Sequence, residues 1–209
     1  MLIPLELLYK KYAMNISGIL HVGAHECEEL LLYMKCGVKM NNVYWVEGNE
    51  VIYSKMKNKK IPNIYHGLID FEDDKEVVFN ISNHGQSSSI LEFGTHSLHH
   101  PQIKYIEKKT YKTKRLDTLI DENKIPIEKI NFINLDIQGV ELRALKSMEK
   151  YLHNIDYIYT EVNNDYVYKD CNLIGEIDEY LEKLNFKRFD TKFHGNEGWG
   201  DAFYMKINA

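Results

Sequence analysis

Short runs of β-branched and aromatic residues alternate with segments of helical period along the chain, and this alternation restricts the possible folds more than any other feature. The runs cover residues 19–22, 43–46, 64–69, 130–135 and 155–160. Strands that alternate with helices are typical of an open α/β sheet that carries helices on its faces. We therefore predict an α/β fold with a mostly parallel sheet and helices on both faces.

Local patterns predict the remaining elements. A stripe of apolar residues at i, i+3, i+7 and i+10 predicts a helix over residues 174–184. A similar stripe lies over residues 142–152, and a short N-terminal helix is expected over 5–12. Segments 186–193 and 202–207 are joined by the turn-rich sequence HGNEG, so they form a hairpin and the seventh strand is antiparallel. Residues 76–81 resemble an extra strand, followed by a polar loop over 82–89.

The size and charge of the chain limit its possible roles. Its 209 residues, 44% of them hydrophobic, suit one domain, and we predict that this domain covers residues 1–209 with an N-terminal helix and lead-in over 1–17. A net charge of -5 and only three arginines argue against a nucleic-acid partner, because a phosphate backbone normally needs a basic face. No stretch approaches the roughly 20 apolar residues of a membrane span.

The cysteines bear on the compartment. They are odd in number, at Cys27, Cys36 and Cys171, which favours free thiols in a reducing environment. We recognise no targeting segment and predict a cytoplasmic protein. The sequence makes no prediction of the oligomeric state.

Two features at predicted strand ends indicate a nucleoside ligand. Gly23 and Ala24 follow the first strand, where small residues let the backbone turn tightly and approach a ligand. Glu47 ends the second strand, 24 residues after Gly23, and a carboxylate there can accept both hydroxyl protons of a ribose. Ligands of open α/β sheets bind at this carboxyl edge.

Two classes of cofactor compete for such a site. A nicotinamide or flavin dinucleotide requires the pattern G-x-G-x-x-G, of which this chain offers only Gly23. The residues that follow include Glu26, Glu28 and Glu29, which would repel a pyrophosphate but suit a cationic sulfonium. We therefore predict S-adenosylmethionine, and keep a nicotinamide-dependent oxidoreductase as an alternative.

The sequence resembles the FkbM-type methyltransferases over nearly its whole length. The similar segments are ILHVGAHECEEL, VYWVEGNE, HGQSSSIL, KTKRLDTLI, INFINLDIQGVELRALKSME and WGDAFYMK. The segment LDIQGVE at 135–141 is the most specific, because it is similar to the family's I-D-V-E-G-x-E. The resemblance implies a Rossmann-like class I methyltransferase fold and transfer of a methyl group from S-adenosylmethionine to a hydroxyl of a sugar or glycan.

The resemblance also implies roles for individual residues. Gly23, His25 and Glu29 would hold the methionine end of the cofactor, and Glu47 would hold the ribose. The full set of predicted cofactor-binding residues is His21, Gly23, Ala24, His25, Glu29, Glu47, Asn49, Asp70, Gln86, Ser88, Ser89 and Asp136.

Methylation of a hydroxyl needs a group to take its proton. Asp136 and Glu161 follow neighbouring predicted strands and are the predicted catalytic acids, with His194 as a further candidate base. No metal is predicted, although Asp136 and Glu161 could hold Mg²⁺ or Mn²⁺. Tyr168 and Trp199 are predicted to form walls against a sugar. The triplet His96, His99 and His100 has no fourth metal ligand, so we interpret these as surface histidines.

Three departures from the family pattern leave other functions open. His21 stands where an acid is usual, Cys27 where glycine is common, and Gln138 where glutamate is usual. One alternative is a degenerate cofactor-binding scaffold that partners, or is fused to, a glycosyltransferase. Another is methylation of a small polar metabolite.

Overall fold

Ten strands and seven α-helices form the part of the chain that the computed structural model describes, residues 1–207. The strands are β1 (Ile19–Val22), β2 (Val43–Glu47), β3 (Ile64–His66), β4 (Leu68–Ile69), β5 (Glu76–Ser82), β6 (Tyr105–Lys114), β7 (Phe132–Leu135), β8 (Tyr157–Asn163), β9 (Phe186–Phe193) and β10 (Trp199–Lys206). The helices are α1 (Leu5–Lys11), α2 (Leu30–Lys35), α3 (Glu50–Asn58), α4 (His96–His99), α5 (Leu116–Glu122), α6 (Glu141–Ser147) and α7 (Ile174–Glu182).

Seven strands form the main sheet in the order β3-β2-β1-β7-β8-β10-β9. Neighbouring strands from β3 to β8 pair in parallel, whereas β10 is antiparallel to both β8 and β9. The predicted mostly parallel sheet with an antiparallel last strand is therefore confirmed. Strand order reverses between β1 and β7, and ligands of such sheets bind outside the carboxyl ends of the strands at a reversal of this kind.

The predicted strand at 64–69 is wrong in one respect, because the chain breaks it at Gly67. Residues on one side of the break pair with β2, and those on the other pair with β6 in a separate three-stranded sheet, β4-β6-β5. A Cβ at Gly67 would lie 2.4 Å from Leu119 Cδ1, so a side chain at this bend would force Leu119 to move. Strand β6 was not predicted, because its mostly exposed, lysine-rich sequence lacks an apolar face.

The predicted hairpin is confirmed as β9 and β10, but β10 begins at Trp199 rather than at residue 202. The predicted helix at 174–184 is α7, which ends at Glu182. The stripe over 142–152 is divided between α6 and a 3₁₀ segment at Glu149–Asn154.

Helices cover both faces of the main sheet, so β1, β2 and β7 are buried along their whole length. On one face, Leu20 and Val22 pack with residues of α5, α6 and α7. On the other, Ile19 and Trp45 pack with residues of α1, α2 and α3. Burial on both faces is typical of parallel sheets and leaves only the strand ends open. Among residues 1–207, no helix has the length and apolar character needed to cross a membrane.

Candidate active site

A cavity of about 350 Å³ opens at the carboxyl edge of the main sheet. It is bounded by the ends of β1, β2, β7, β8 and β10 and by the polar loop after β5. Among the residues that line it are nearly all of the predicted site residues: His21, Gly23, Ala24, His25, Glu29, Glu47, Asn49, Gln86, Ser88, Ser89, Asp136, Glu161, Tyr168 and Trp199.

The turn at Gly23 brings the loops after β1 and β7 into contact. Gly23 has a φ of +89°, and a Cβ there would lie 1.8 Å from the backbone oxygen of Asp136. The backbone N–H groups of Gly23 and Ala24 donate to the oxygen of Val46 at 2.9 and 3.0 Å. Only glycine therefore allows the loop to lie against Asp136 and β2 at once.

Glu47 is fixed at the end of β2. Its two carboxylate oxygens accept the backbone N–H of His25 at 2.7 Å and of Asn49 at 2.6 Å. Only 7% of the residue is exposed, and burial raises its pKa although the two backbone hydrogen bonds oppose that shift. Each oxygen keeps lone-pair capacity for a ligand hydroxyl. The side chain of Asn49 caps α3 by accepting the N–H of Val51 at 3.0 Å.

His21 lines the cavity and is surrounded by aromatic side chains. The Tyr33 hydroxyl lies 3.0 Å from His21 Nδ1, and the ring of Trp45 lies 5.1 Å from the imidazole. The Asn134 amide donates to the Tyr33 hydroxyl at 2.8 Å. Burial lowers the pKa of His21 to about 3, so the imidazole is neutral near pH 7. A neutral His21 does not repel a cationic ligand.

Three acids from adjacent strands, Asp136, Glu161 and Asp201, form a carboxylate cluster in the cavity. Glu161 and Asp201 are paired across β8 and β10. Burial is the main cause that raises the pKa of Glu161 well above its usual value, and the charge of Asp136 is the second. Burial and Asp201 raise the pKa of Asp136 in the same direction. Asp201 also accepts hydrogen bonds from the Tyr159 hydroxyl and the Leu2 N–H.

The side chain of Gln138 links two acids of this cluster, Asp136 and Glu161, to Tyr168. Its Nε2 donates to Asp136 Oδ1 at 2.6 Å and to Glu161 Oε2 at 3.0 Å. Its Oε1 accepts the hydroxyl of Tyr168 at 2.5 Å. The ring of Tyr168 therefore lines the cavity while its hydroxyl is already engaged.

Two serines of the polar loop use their hydroxyls to hold the loop itself. Ser88 Oγ donates to the Gly85 oxygen at 2.8 Å and accepts the Ser82 N–H at 3.1 Å. Ser89 Oγ donates to the backbone oxygen of Gln138 at 2.8 Å and accepts the Leu91 N–H at 3.0 Å. The side chain of Ser89 thus ties this loop to the one after β7.

Two predicted site residues do not line the cavity. Asp70 is buried, with its carboxylate 3.7 Å from the Arg143 guanidinium. His194 stacks on Trp199 with ring centroids 4.9 Å apart, and its Nδ1 lies 3.0 Å from Glu197. His194 follows β9 of the main sheet and Asp70 follows β4 of the three-stranded sheet, but the side chain of each contacts other residues instead of the cavity.

The interpretation of all three clustered histidines as surface residues is wrong. His96 is only 7% exposed, lines the cavity and stacks on Phe93 with ring centroids 4.2 Å apart. His100 also lines the cavity, and its Nε2 lies 2.9 Å from Glu197. Among residues 1–207, no group of three or more histidine, cysteine or acidic side chains is placed to hold a metal ion.

The sequence matches the Methyltransferase FkbM domain over residues 21–188, which is most of the chain and includes β2, β7 and β8 and the end of β1. The chain belongs to the FkbM methyltransferase family. A comparison with curated proteins found no match.

Solved structures share the fold of this FkbM domain at low sequence identity. The FkbM methyltransferase of Methylobacillus flagellatus KT is 14% identical with a TM-score of 0.59, over 97% of this chain and 48% of that one. This chain therefore spans about half of that relative's length. Streptococcus pneumoniae Sp1610, a putative tRNA (m1A22) methyltransferase, is 12% identical with a TM-score of 0.51, over 100% of this chain and 73% of that one.

A third structure with this fold contains a ligand. Magnesium protoporphyrin IX methyltransferase of Synechocystis PCC 6803 with bound S-adenosylhomocysteine (SAH) is 7% identical with a TM-score of 0.53, over 98% of this chain and 80% of that one. At these identities the likeness establishes the Rossmann-like methyltransferase fold of the FkbM domain.

The cavity of the FkbM domain is acidic. Its lining includes six carboxylates, contributed by Glu28, Glu29, Glu47, Asp136, Glu161 and Asp201. Within residues 1–207, neither lysine nor arginine lines it. Walls of one charge sign in a cleft concentrate ligands of the opposite sign. The cavity therefore favours positively charged groups of a ligand over phosphate groups.

Proposed function

We propose that the protein is an S-adenosylmethionine-dependent O-methyltransferase that methylates a hydroxyl of a sugar or glycan. One observation carries this proposal: a single cavity joins the fixed carboxylate of Glu47 to the carboxylate cluster across the Gly23 turn. An acid suited to a ribose and an acid suited to a hydroxyl proton thus face the same space.

The residues around the cavity fit the cofactor. The free lone pairs of Glu47 suit the two ribose hydroxyls, and the missing side chain of Gly23 gives room beside Asp136. Glu29 and neutral His21 line the part assigned to the amino-acid end. The sulfonium and ammonium groups of S-adenosylmethionine are positive, which matches the acidic lining.

When bound, S-adenosylmethionine supplies an electrophilic methyl group, whose bonding pair returns to sulfur as the new carbon–oxygen bond forms. The protein's task is to hold the acceptor oxygen about 3 to 3.5 Å from the methyl carbon and to receive its proton. Asp136 is the proposed proton acceptor, because it follows the tip of β7 and faces the cavity. Glu161 lies beside Asp136, since Gln138 Nε2 donates a hydrogen bond to each of the two acids.

The lining also supports a proposal for the class of acceptor. Trp199 offers an aromatic surface of the kind on which sugar rings pack, and His100 and Glu197 supply polar groups near it, whereas the predicted wall residue Tyr168 is only 1% exposed. An acceptor with a phosphate near its reacting hydroxyl would meet the carboxylates without a lysine or arginine to pair with. The proposed acceptor is therefore an uncharged sugar at its reacting end.

We further propose that residues 1–209 act as a single domain in the cytoplasm. The support for the compartment is that Cys27, Cys36 and Cys171 are all buried free thiols, as expected in a reducing environment.

Methyl transfer can be tested directly with S-adenosylmethionine that carries a deuterated methyl group. The protein is incubated with neutral oligosaccharides and, separately, with the matching sugar phosphates, and products are analysed by mass spectrometry. The proposal expects label on a hydroxyl of a neutral sugar and little on the phosphates. Label on nitrogen atoms, or preferential labelling of the phosphates, would contradict it.

A further inference from the structure

The side-chain amide of Gln138 lies between two carboxylates of the proposed catalytic cluster. One nitrogen donates to Asp136 at 2.6 Å and to Glu161 at 3.0 Å, so each hydrogen of the NH₂ group has an acidic acceptor. Two carboxylates that share one donor lie close enough to repel each other when both are ionised, unless a positive charge or a donor lies between them. The amide supplies that donor.

The direction of the amide is fixed at its other end. The Tyr168 hydroxyl donates to Gln138 Oε1, which leaves the NH₂ group facing the carboxylates. A reversed amide would place a carbonyl oxygen against two acids and lose every one of these hydrogen bonds. Tyr168 is itself buried among Phe93 and His96, so the hydroxyl has little freedom to move.

The backbone around Gln138 is held in an unusual conformation. Gln138 has a φ of +57° and Gly139 a φ of +102°, and the left-handed region costs a non-glycine residue on the order of 1 kcal/mol. Ser89 Oγ donates to the backbone oxygen of Gln138 at 2.8 Å. Glu141 accepts the N–H of Ile137 at 3.0 Å and of Gly139 at 3.1 Å. These contacts on both sides of residue 138 aim its side chain at the cluster.

We propose that Gln138 is a positioning residue whose amide takes the place of a cation between Asp136 and Glu161. This inference rests on the proposed function only in assigning the two acids to proton acceptance. A Mg²⁺ ion bound to both acids would lie about 2.0 to 2.1 Å from their oxygens, in the space that Nε2 fills. Mn²⁺ prefers the same oxygen ligands and would need the same space. The carboxylate pair is thus arranged to work without a divalent cation, and each acid keeps lone pairs for the acceptor hydroxyl.

The test is binding of Mn²⁺ without any other ligand. Electron paramagnetic resonance measures the concentration of free Mn²⁺. Gln138→Glu keeps the length and branching of the side chain but replaces the donor by a third carboxylate. Gln102→Glu adds the same charge at an exposed position and serves as the matched control. Gln138→Met removes the donor without adding charge. Circular dichroism checks that each variant is folded, and titration with SAH is run in parallel.

We expect wild type and Gln102→Glu to bind Mn²⁺ equally weakly. Gln138→Glu should bind at least about tenfold tighter, and a further Asp136→Asn change should remove that gain. If Gln138→Glu does not fold, Gln138→Met carries the test, with an expected gain of about threefold or more. Tight Mn²⁺ binding by wild type that Asp136→Asn abolishes, or no gain in either Gln138 variant, would overturn the inference. If wild type binds no SAH while the Mn²⁺ results hold, the proposed function fails and the role of Gln138 stands.

Discussion

The carboxylate of Glu47 accepts the backbone N–H of His25 at 2.7 Å, so the acid at the end of β2 holds the loop that leaves β1. A second hydrogen bond, from the N–H of Asn49 at 2.6 Å, fixes the same carboxylate from its own chain segment. The edge of the sheet that we propose binds the cofactor is therefore held by hydrogen bonds within the protein itself. Such pre-organisation lowers the entropic cost of binding.

The Gly23 turn predicts a large difference between two glycine substitutions. Gly23→Ala should destabilise the protein by about 3 kcal/mol or more, because its Cβ would collide with the Asp136 backbone oxygen and its φ is +89°. Gly175→Ala is the matched control, since nothing lies within 4 Å of its Cβ and it lies in α7. That change should be neutral or stabilise by up to about 1 kcal/mol. Urea denaturation measures both, and equal stabilities would contradict the packing at Gly23.

The buried acid Glu141 predicts how stability depends on pH. Burial raises its pKa from 4.5 to about 7, and the nearby charge of Asp136 adds to this shift. Three hydrogen bonds from backbone N–H groups oppose the shift. Because the pKa is higher in the folded state, protonation of Glu141 stabilises the fold. This contribution to stability is fully present below pH 4.5 and is lost as the pH rises through about 7.

Thermal melting of Glu141→Gln across this range gives the measurement. Wild type should lose about 1 to 3 kcal/mol of stability relative to the variant between about pH 5 and pH 8. Glu128→Gln, at an exposed position, should keep the wild-type pH dependence. Parallel pH curves for wild type and Glu141→Gln would show that Glu141 titrates normally.

The proposed role of Asp136 separates binding from turnover. Asp136→Asn keeps the shape of the side chain but removes its capacity to take a proton. Affinity for SAH should stay within about tenfold, while methyl transfer to the neutral sugar acceptor falls at least about 100-fold. Calorimetry and the deuterium-label assay measure the two quantities. Full activity in Asp136→Asn would exclude Asp136 as the proton acceptor.

Sequence reasoning located the cavity because it depends on strand ends. Apolar runs identify β1, β2, β7 and β8, and the carboxyl ends of parallel strands meet at one edge. That rule alone brings Glu47, Asp136 and Glu161 to one cavity from positions far apart in the chain. Chain order and hydrophobic pattern are sufficient for this level of prediction.

Side-chain direction and irregular strands are beyond such reasoning. Asp201 was missed because β10 begins before the apolar residues that mark it, although period-two spacing from Trp199 is a signal that could have found it. Asp70 lies one residue past β4, yet it is drawn to Arg143 instead of the cavity. The bridge formed by Gln138 depends on a positive φ that the sequence does not reveal.

Calorimetric titration of the protein with SAH tests the central claim most directly. We predict that wild type binds one equivalent, and that Glu47→Gln weakens binding by about 10- to 100-fold because one ribose acceptor is lost. Asp70→Asn, which changes a buried acid outside the cavity, should stay within about threefold of wild type. No binding by wild type, or equal affinity in Glu47→Gln, would contradict the assignment of this cavity to an adenosyl cofactor.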